Sequence, residues 1–337
     1  MRYKHLLLIA SLTASLAGAQ DIVSARAGLI HYMEGSVMIN GQSVEQHGDA
    51  FNSMKQGETL STERGRAEIL LNAGTYLRIG EASAFKLESA ALDNTLLTLL
   101  SGTVLIEVAE LPKDTSAAIR ILGTQVSLKK RGLYEFSADA PGNVRVYDGE
   151  LAMTSAGALP IKIGKGREIA FNALASGPGK FDLTATSSLY NWGSRRAIYI
   201  AQANQDAARS AYSTNGRNSA SILASSMGYP GYGGVWVYSS FYGMYTYLPL
   251  RGYGYSPYYG IRIFSPQAIY SYSVGPVQGV NLGSSDNSVQ RSSVTSTAYS
   301  SSAAVSNSSG AVAVPAAAAP AVVTTNTGGG GDDGRRR

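Results

Sequence analysis

Residues 120–136 read RILGTQVSLKKRGLYEF, and their reading decides between three kinds of protein. An apolar run ends in Gly123-Thr124, and alternation resumes through Val126 and Leu128. Three adjacent cations, Lys129, Lys130 and Arg131, then precede a second glycine. A phosphate-cradling loop needs a helix straight after its glycines, so that free N–H groups face the anion. Here the residues after Gly123 alternate with the period of a strand. Successive strand side chains point to opposite faces, which puts Leu133 and Glu135 on one side and Tyr134 and Phe136 on the other. The stretch therefore reads as strands joined by a basic turn, with Gly123 at a bend or bulge.

The same pattern runs outward from Gly28 to Phe171. AEILL, TYLRI, AFKLE, TVLIEV, NVRVY and REIAF are short alternating runs, separated by turn signals such as Asn72-Ala73-Gly74, Asp93-Asn94, Pro141-Gly142-Asn143 and Asp148-Gly149. Strands spaced by roughly 8–12 residues with such turns predict an all-β domain. About 150 residues can bury about 68% of the unfolded surface, enough for a core without covalent staples. That suits a chain with no cysteine, which also lacks thiolate zinc sites and thiol nucleophiles.

The rest of the chain differs in kind. Residues 1–19 have a basic start (Arg2, Lys4), an apolar stretch from Leu6 to Leu16 and small residues at Ala17 and Ala19. This is the layout of a secretory signal peptide, too short to span a bilayer as an anchor. Export to the periplasm or cell surface is expected, with no transmembrane helix in the mature chain. Beyond Phe171 no glutamate occurs, and between Asp206 and Asp286 there is no acid. Residues 173–215 are expected to hold a linker and one helix from about Ser187 to Tyr212, with Leu189, Trp192, Arg196 and Tyr199 at helical spacing. Leu189 and Trp192 are expected to dock it on the β domain, while Gly193 costs ~1 kcal/mol relative to alanine. Residues 216–275 form a Tyr/Gly-rich region, with twelve tyrosines between 229 and 272 and Gly or Pro interrupting every run. Residues 276–337 have the composition of a disordered tail.

Residues 57–81, GETLSTERGRAEILLNAGTYLRIGE, are followed by LLTLLSGTVLIEV (96–108), the opening stretch and NVRVYDGELAMT (143–154). In this order they resemble the FecR-type periplasmic domain, over about residues 25–172 of a β domain placed at 20–172. The resemblance implies an all-β fold of short stacked or coiled strands and, in the best-known members, signalling across the envelope. Those members resemble anti-sigma regulators with a cytoplasmic segment and a membrane helix ahead of the β domain. With a cleavable signal in that place, this chain is more similar to exported stand-alone FecR-domain proteins with a C-terminal part rich in Tyr, Trp, Gly and Pro.

The residues offer little catalytic chemistry. His31 alternates within a strand pattern and His47 sits in a loop, without metal spacing or a Gly-x-Ser-x-Gly elbow. Glu107 with Glu110, or Asp148 with Glu150, could serve a glycosidase, but acids at strand ends ordinarily solvate an edge. The net charge of +5 comes from scattered cations, so no nucleic-acid partner is expected. No catalytic residue, cofactor or metal is expected either. Gly102, Gly123 and Gly149 are assigned as turn or bulge glycines. Lys129, Lys130 and Arg131 are candidates for contact with an anionic surface. Trp236, Tyr238, Tyr245, Tyr247, Tyr258 and Tyr259 are candidates for an aromatic contact surface, because tyrosine offers rigid amphipathic area at low entropy cost. Packing on the β domain is their plainer alternative. The expected function is a non-catalytic envelope protein that contacts a protein or polysaccharide. A glycan-active enzyme using a carboxylate pair and a periplasmic signal-sensing module are the alternatives.

Overall fold

The structure is a computed structural model and describes residues 27–45, 51–91, 93–111, 115–155, 159–215, 233–258 and 260–274. The expected signal peptide and the tail beyond residue 275 lie outside them. The chain opens with strands β1 (Leu29–Ile39), β2 (Gln42–Ser43), β3 (Thr59–Leu70), β4 (Thr75–Ile79) and β5 (Ala84–Ala90). It continues through β6 (Asn94–Ser101), β7 (Thr103–Val108), β8 (Ser116–Ile121), β9 (Thr124–Leu128) and β10 (Gly132–Ser137). Then come β11 (Asn143–Asp148), β12 (Glu150–Thr154), β13 (Ile161–Gly164), β14 (Arg167–Ala170) and β15 (Gly179–Lys180). All belong to one sheet, ordered β13-β12-β9-β8-β6-β5-β3-β4-β7-β10-β11-β14-β15, with β1 beside β3 and β2 beside β1. The pairing of β6 with β8 is parallel.

The sheet is doubled over, and β3 is the fold line. Its first residues, Thr59–Ser61, pair with β5, and its last, Ala67–Leu70, pair with β4. Between them Gly65 lies opposite Gly35, and a Cβ on either would fall within 3 Å of the other strand's backbone. Only glycine lets the two backbones approach so closely at the bend. One half of the sheet is then β4, β7, β10, β11 and β14; the other is β5, β6, β8, β9, β12 and β13. Inward side chains from both meet in one core: Leu77, Ile106, Phe136 and Val146 from the first, Phe85, Leu97, Ile119, Val126 and Leu151 from the second. Tyr134 and Phe136 face this core while Leu133 faces outward, as the alternation in the opening stretch predicts.

After a 3₁₀ turn at Phe171–Ser176, helix α1 runs from Ser188 to Asn215, three residues past the expected end. Ser187 caps it, its hydroxyl accepting the Tyr190 N–H at 3.0 Å, a favourable placement for serine. Leu189 and Trp192 pack against Leu105 and Leu133 on the outer face of the first half-sheet. This is the docking expected from their spacing. Gly193 is explained by the same contact, since a Cβ there would lie 2.4 Å from the Tyr258 hydroxyl and 2.9 Å from Arg78 Cδ.

Part of the Tyr/Gly region is regular. Residues 233–258 and 260–274 are folded, as β16 (Gly234–Ser239), β17 (Met244–Pro249), β18 (Tyr253–Tyr255), β19 (Arg262–Phe264) and helix α2 (Pro266–Val274). Gly and Pro limit these elements to a few residues without preventing them. The hairpin of β16 and β17 is buried on both faces. Trp236, Tyr245 and Tyr247 lie with Leu70 and Tyr76 of the sheet, whereas Val235, Val237 and Leu248 lie with Ala207, Ala208 and Ala211 of α1. Strands buried on both faces show little polar alternation, so composition conceals them.

Candidate functional site

The C-terminal segment covers a face of the first half-sheet that carries charge. Glu68 on β3, Arg78 on β4 and Glu107 on β7 are cross-strand neighbours pointing away from the main core, and all three are buried. Arg78 donates from Nε to Glu68 at 2.9 Å and from Nη1 to Glu107 at 2.7 Å. Arg196 of α1 completes the cluster, donating from Nη2 to Glu68 at 2.9 Å, with its guanidinium 4.0 Å from the Tyr32 ring centre. Ser256 donates to the remaining oxygen of Glu107. Two carboxylates thus face two guanidiniums, which makes their burial tolerable. Burial alone would push the Glu68 carboxyl up, but Arg196 and Arg78, with the His31 hydrogen bond, hold it well below the usual range.

His31 joins sheet and cover. Its Nε2 accepts the backbone N–H of Tyr245 at 3.0 Å, so Nδ1 carries the proton and donates to Glu68 at 2.9 Å. Burial pushes its pKa down, and the ring is neutral. Asn204 of α1 clamps the segment from the other side. Its amide donates to the carbonyls of Tyr247 (2.9 Å) and Phe264 (3.0 Å) and accepts from the Phe264 N–H at 2.7 Å. Among the described residues, no three His, Asp or Glu side chains gather as a metal-ligand set.

At the seam between sheet and cover lies a groove of about 560 Å³. One wall is the β9–β10 turn, with Lys129, Lys130 and Arg131. The other comes from the stretch after β17, with Arg251, Tyr253 and Gly254. Four cations line it against one carboxylate, Glu110, which accepts the Tyr247 hydroxyl. A second concavity of about 390 Å³ shares Arg131 and is lined also by Asp148, Lys165, Tyr190 and Tyr255. Lys130 pairs with Glu150 at 3.0 Å and Lys165 with Asp148 at 3.1 Å. Lys129, Arg131 and Arg251 are exposed, with no carboxylate within ion-pair reach among the described residues. The turn is held from beneath by Tyr134, whose hydroxyl donates to the Lys130 carbonyl at 2.5 Å and accepts the Glu150 N–H at 3.1 Å.

The structure therefore redistributes the residues singled out from sequence. Lys129, Lys130 and Arg131 lie in an exposed turn, joined by Arg251 from 120 residues further along the chain. Gly123 occupies a two-residue hairpin turn with Leu122, and Gly149 the corner between β11 and β12; both have positive φ, as does Gly102. Gly102 also abuts Ser83, whose Cα lies 2.6 Å from where a Cβ would be. The aromatic surface needs correction. Trp236, Tyr245, Tyr247 and Tyr258 are buried, because they supply the contact between hairpin, helix and sheet. Tyr238 is half-buried beside them, and Tyr259 lies outside the described residues. Among the described tyrosines of residues 233–274, the exposed ones are Tyr253, Tyr255, Tyr270 and Tyr272. The strict alternation of Gly and Tyr in GYGY (residues 252–255) is the sequence signal that sets Tyr253 and Tyr255 apart from the rest. Glu107 also differs from expectation: it sits mid-sheet as the partner of Arg78 and not at a solvated edge. Asp148 and Glu150 are each tied to a lysine.

Residues 58–152 match the family model described as FecR protein, and the chain carries a FecR domain there. That span runs from β3 to β12 and leaves β1, the helix and the whole cover outside it. Two crystal structures of a candidate anti-sigma factor from Parabacteroides distasonis ATCC 8503 are similar over 37% of this chain. They are 14% and 13% identical to it, with TM-scores of 0.32 and 0.33, over 59% and 61% of their own length. The chain thus spans about three fifths of the length of these structures. No curated protein matches it. Among the described residues no helix is long and apolar enough to cross a membrane.

Proposed function

We propose that the chain is a non-catalytic, exported envelope protein in which the FecR domain acts as an interaction scaffold. Its C-terminal segment covers one face of the sheet and leaves the basic groove as the contact site for an anionic partner in the envelope. The observation that carries this reading is the convergence on one groove of Lys129, Arg131 and Arg251, three exposed cations with no acidic partner among the described residues. Unpaired cations held together on a rigid frame raise the local concentration of an anionic partner, and salt weakens that attraction. The ion pairs made by Asp148 and Glu150 speak against the carboxylate-pair enzyme, since each acid is held at the surface by a lysine.

The test is co-sedimentation of the purified protein with an isolated envelope fraction across a salt titration. The wild-type protein is expected to be retained at low salt and released as salt rises. A variant carrying Lys129→Ser, Arg131→Ser and Arg251→Gln is expected to stay in solution with an unchanged melting temperature. Equal retention of both proteins would overturn the reading. The FecR domain at residues 58–152 also favours a second reading, a periplasmic signal-sensing module. It predicts that loss of the protein alters expression of envelope genes, an effect that the groove variant would not reproduce.

A further inference from the structure

We infer that the groove takes a linear polysaccharide bearing carboxylates, lying along the seam with its charges on Arg131, Arg251 and Lys129 and a sugar face on Tyr253. This inference rests on the proposed contact role and names the chemistry of the partner. Four features point to it. The first is the cation set: a planar guanidinium matches a carboxylate with two parallel hydrogen bonds, and the groove presents one arginine from each wall. The second is Tyr253, which lines the groove and remains 59% exposed, whereas Tyr245, Tyr247 and Tyr258 of the same segment are buried. Its ring is oriented by neighbours on two sides, with Arg262 5.8 Å from its centre and Tyr255 edge-on at 5.5 Å. An exposed, oriented ring beside cations offers an apolar face next to charge, the pairing that a uronic sugar presents in reverse.

The third feature is shape. Arg131 lines both this concavity and the second one, whose wall holds Tyr255 and the Lys165–Asp148 ion pair, so the two adjoin as places for successive sugars, which a single small anion would not need. The fourth is the contrast with a lipid surface. A bilayer is flat and touches protruding side chains, whereas Lys129, Arg131 and Arg251 line a recess. The family-model span by itself does not form the groove. Arg131 belongs to the FecR span, but Arg251 and Tyr253 come from the C-terminal cover.

The experiment measures binding of the full chain to four probes by calorimetry or affinity electrophoresis. They are polygalacturonate, neutral dextran, inorganic polyphosphate and vesicles containing an anionic phospholipid. Polygalacturonate is expected to bind and dextran not to. Arg251→Gln should weaken polygalacturonate by about tenfold or more, and Tyr253→Ala by about tenfold, while Tyr253→Phe keeps the wild-type affinity. Polyphosphate, which has charge without a sugar face, should be indifferent to Tyr253→Ala. Melting curves check that each variant is folded; these are exposed positions. Polygalacturonate binding that ignores Tyr253→Ala would overturn the assignment, as would binding of vesicles or polyphosphate alone. If none of the probes binds while the envelope fraction still retains the wild type and releases the groove variant, the polysaccharide assignment fails and the contact role stands. If that groove variant is retained as well, the contact role itself fails.

Discussion

The two outer faces of the doubled sheet are built from the same kind of strand and have opposite fates. On the open half, Lys86, Thr98, Arg120, Gln125 and Lys162 alternate with core residues and meet water. Lys86 pairs with Glu88 at 3.1 Å, and both remain partly exposed, so the pair is worth little. On the covered half, Glu68, Arg78, Glu107 and Glu135 occupy the equivalent outward positions and are buried under α1 and the β16–β17 hairpin. Alternation of apolar and polar residues is therefore the same signal on both halves. What differs is whether α1 and the hairpin that follows it return to lie on it. A charged outward face is not evidence of exposure; here it is the means by which a cover is positioned.

The comparison breaks most visibly at Arg78. Replacing it with leucine leaves Glu68 and Glu107 buried with one cation fewer, and a loss of about 3–5 kcal/mol is expected in denaturant unfolding. Arg120→Ala on the open face is expected to change stability by less than about 0.5 kcal/mol. Similar effects at the two sites would mean that the cover does not seal the charged face.

A smaller effect is expected at Gly193. Alanine should gain up to ~1 kcal/mol of helix propensity if the helix stood alone. Because the new Cβ meets Tyr258 and Arg78, Gly193→Ala is expected to destabilise by about 1–3 kcal/mol instead. A higher melting temperature would show that the helix stands off the sheet.

The pH dependence separates the faces again. His31 is buried and neutral, its folded pKa below the ordinary 6.5 because of burial. As pH falls through 6.5 the unfolded chain binds a proton that the folded one does not. Stability present above that pH is then lost on acidification, at up to about 1.4 kcal/mol per pH unit. The Glu68 carboxyl, held low in the folded state, adds a second loss below about pH 4.3, where the unfolded chain takes up its proton. Unfolding curves of wild type and His31→Gln between pH 5 and 8 check this. The variant should be flatter in that window, and an unchanged slope would assign the proton to another group.

The smallest effect is expected from the basic turn. Lys129, Lys130 and Arg131 are exposed, and their one ion pair among the described residues, Lys130 with Glu150, is a surface one. Replacing all three with serine should leave the melting temperature within about 1–2 °C, equivalent to a few tenths of a kcal/mol. A large drop would show that the turn holds the β9–β10 corner together, a task the structure gives to Tyr134.

Much of the β domain was legible in the sequence because strand alternation is local. The inward placement of Val126, Leu128, Tyr134 and Phe136 follows from a period of two, and Gly123 and Gly149 stand in turns where the alternation breaks. The docking of Leu189 and Trp192 followed from helical spacing in the same way. The role of the tyrosines did not. Trp236 and Tyr247 look no different in composition from Tyr253, yet the first two are buried and the last is exposed. Their burial depends on which face the hairpin turns to the sheet, and that is decided by partners far away in sequence.

By itself, the sequence determined the all-β domain, its strand faces, its turns and the one long helix, since each rests on neighbours within a few residues. Tertiary structure alone decided which half-sheet is covered, which charges are buried and where a groove forms. Arg196 reaches Glu68 across 128 residues and the Tyr245 N–H reaches His31 across 214. Pairings over such separations leave no periodic trace, because the energy of burying a charge depends on what lies against it and not on what precedes it in the chain. The basic groove has the same origin, with one wall fixed by a local turn and the other brought to it by the docking of the cover.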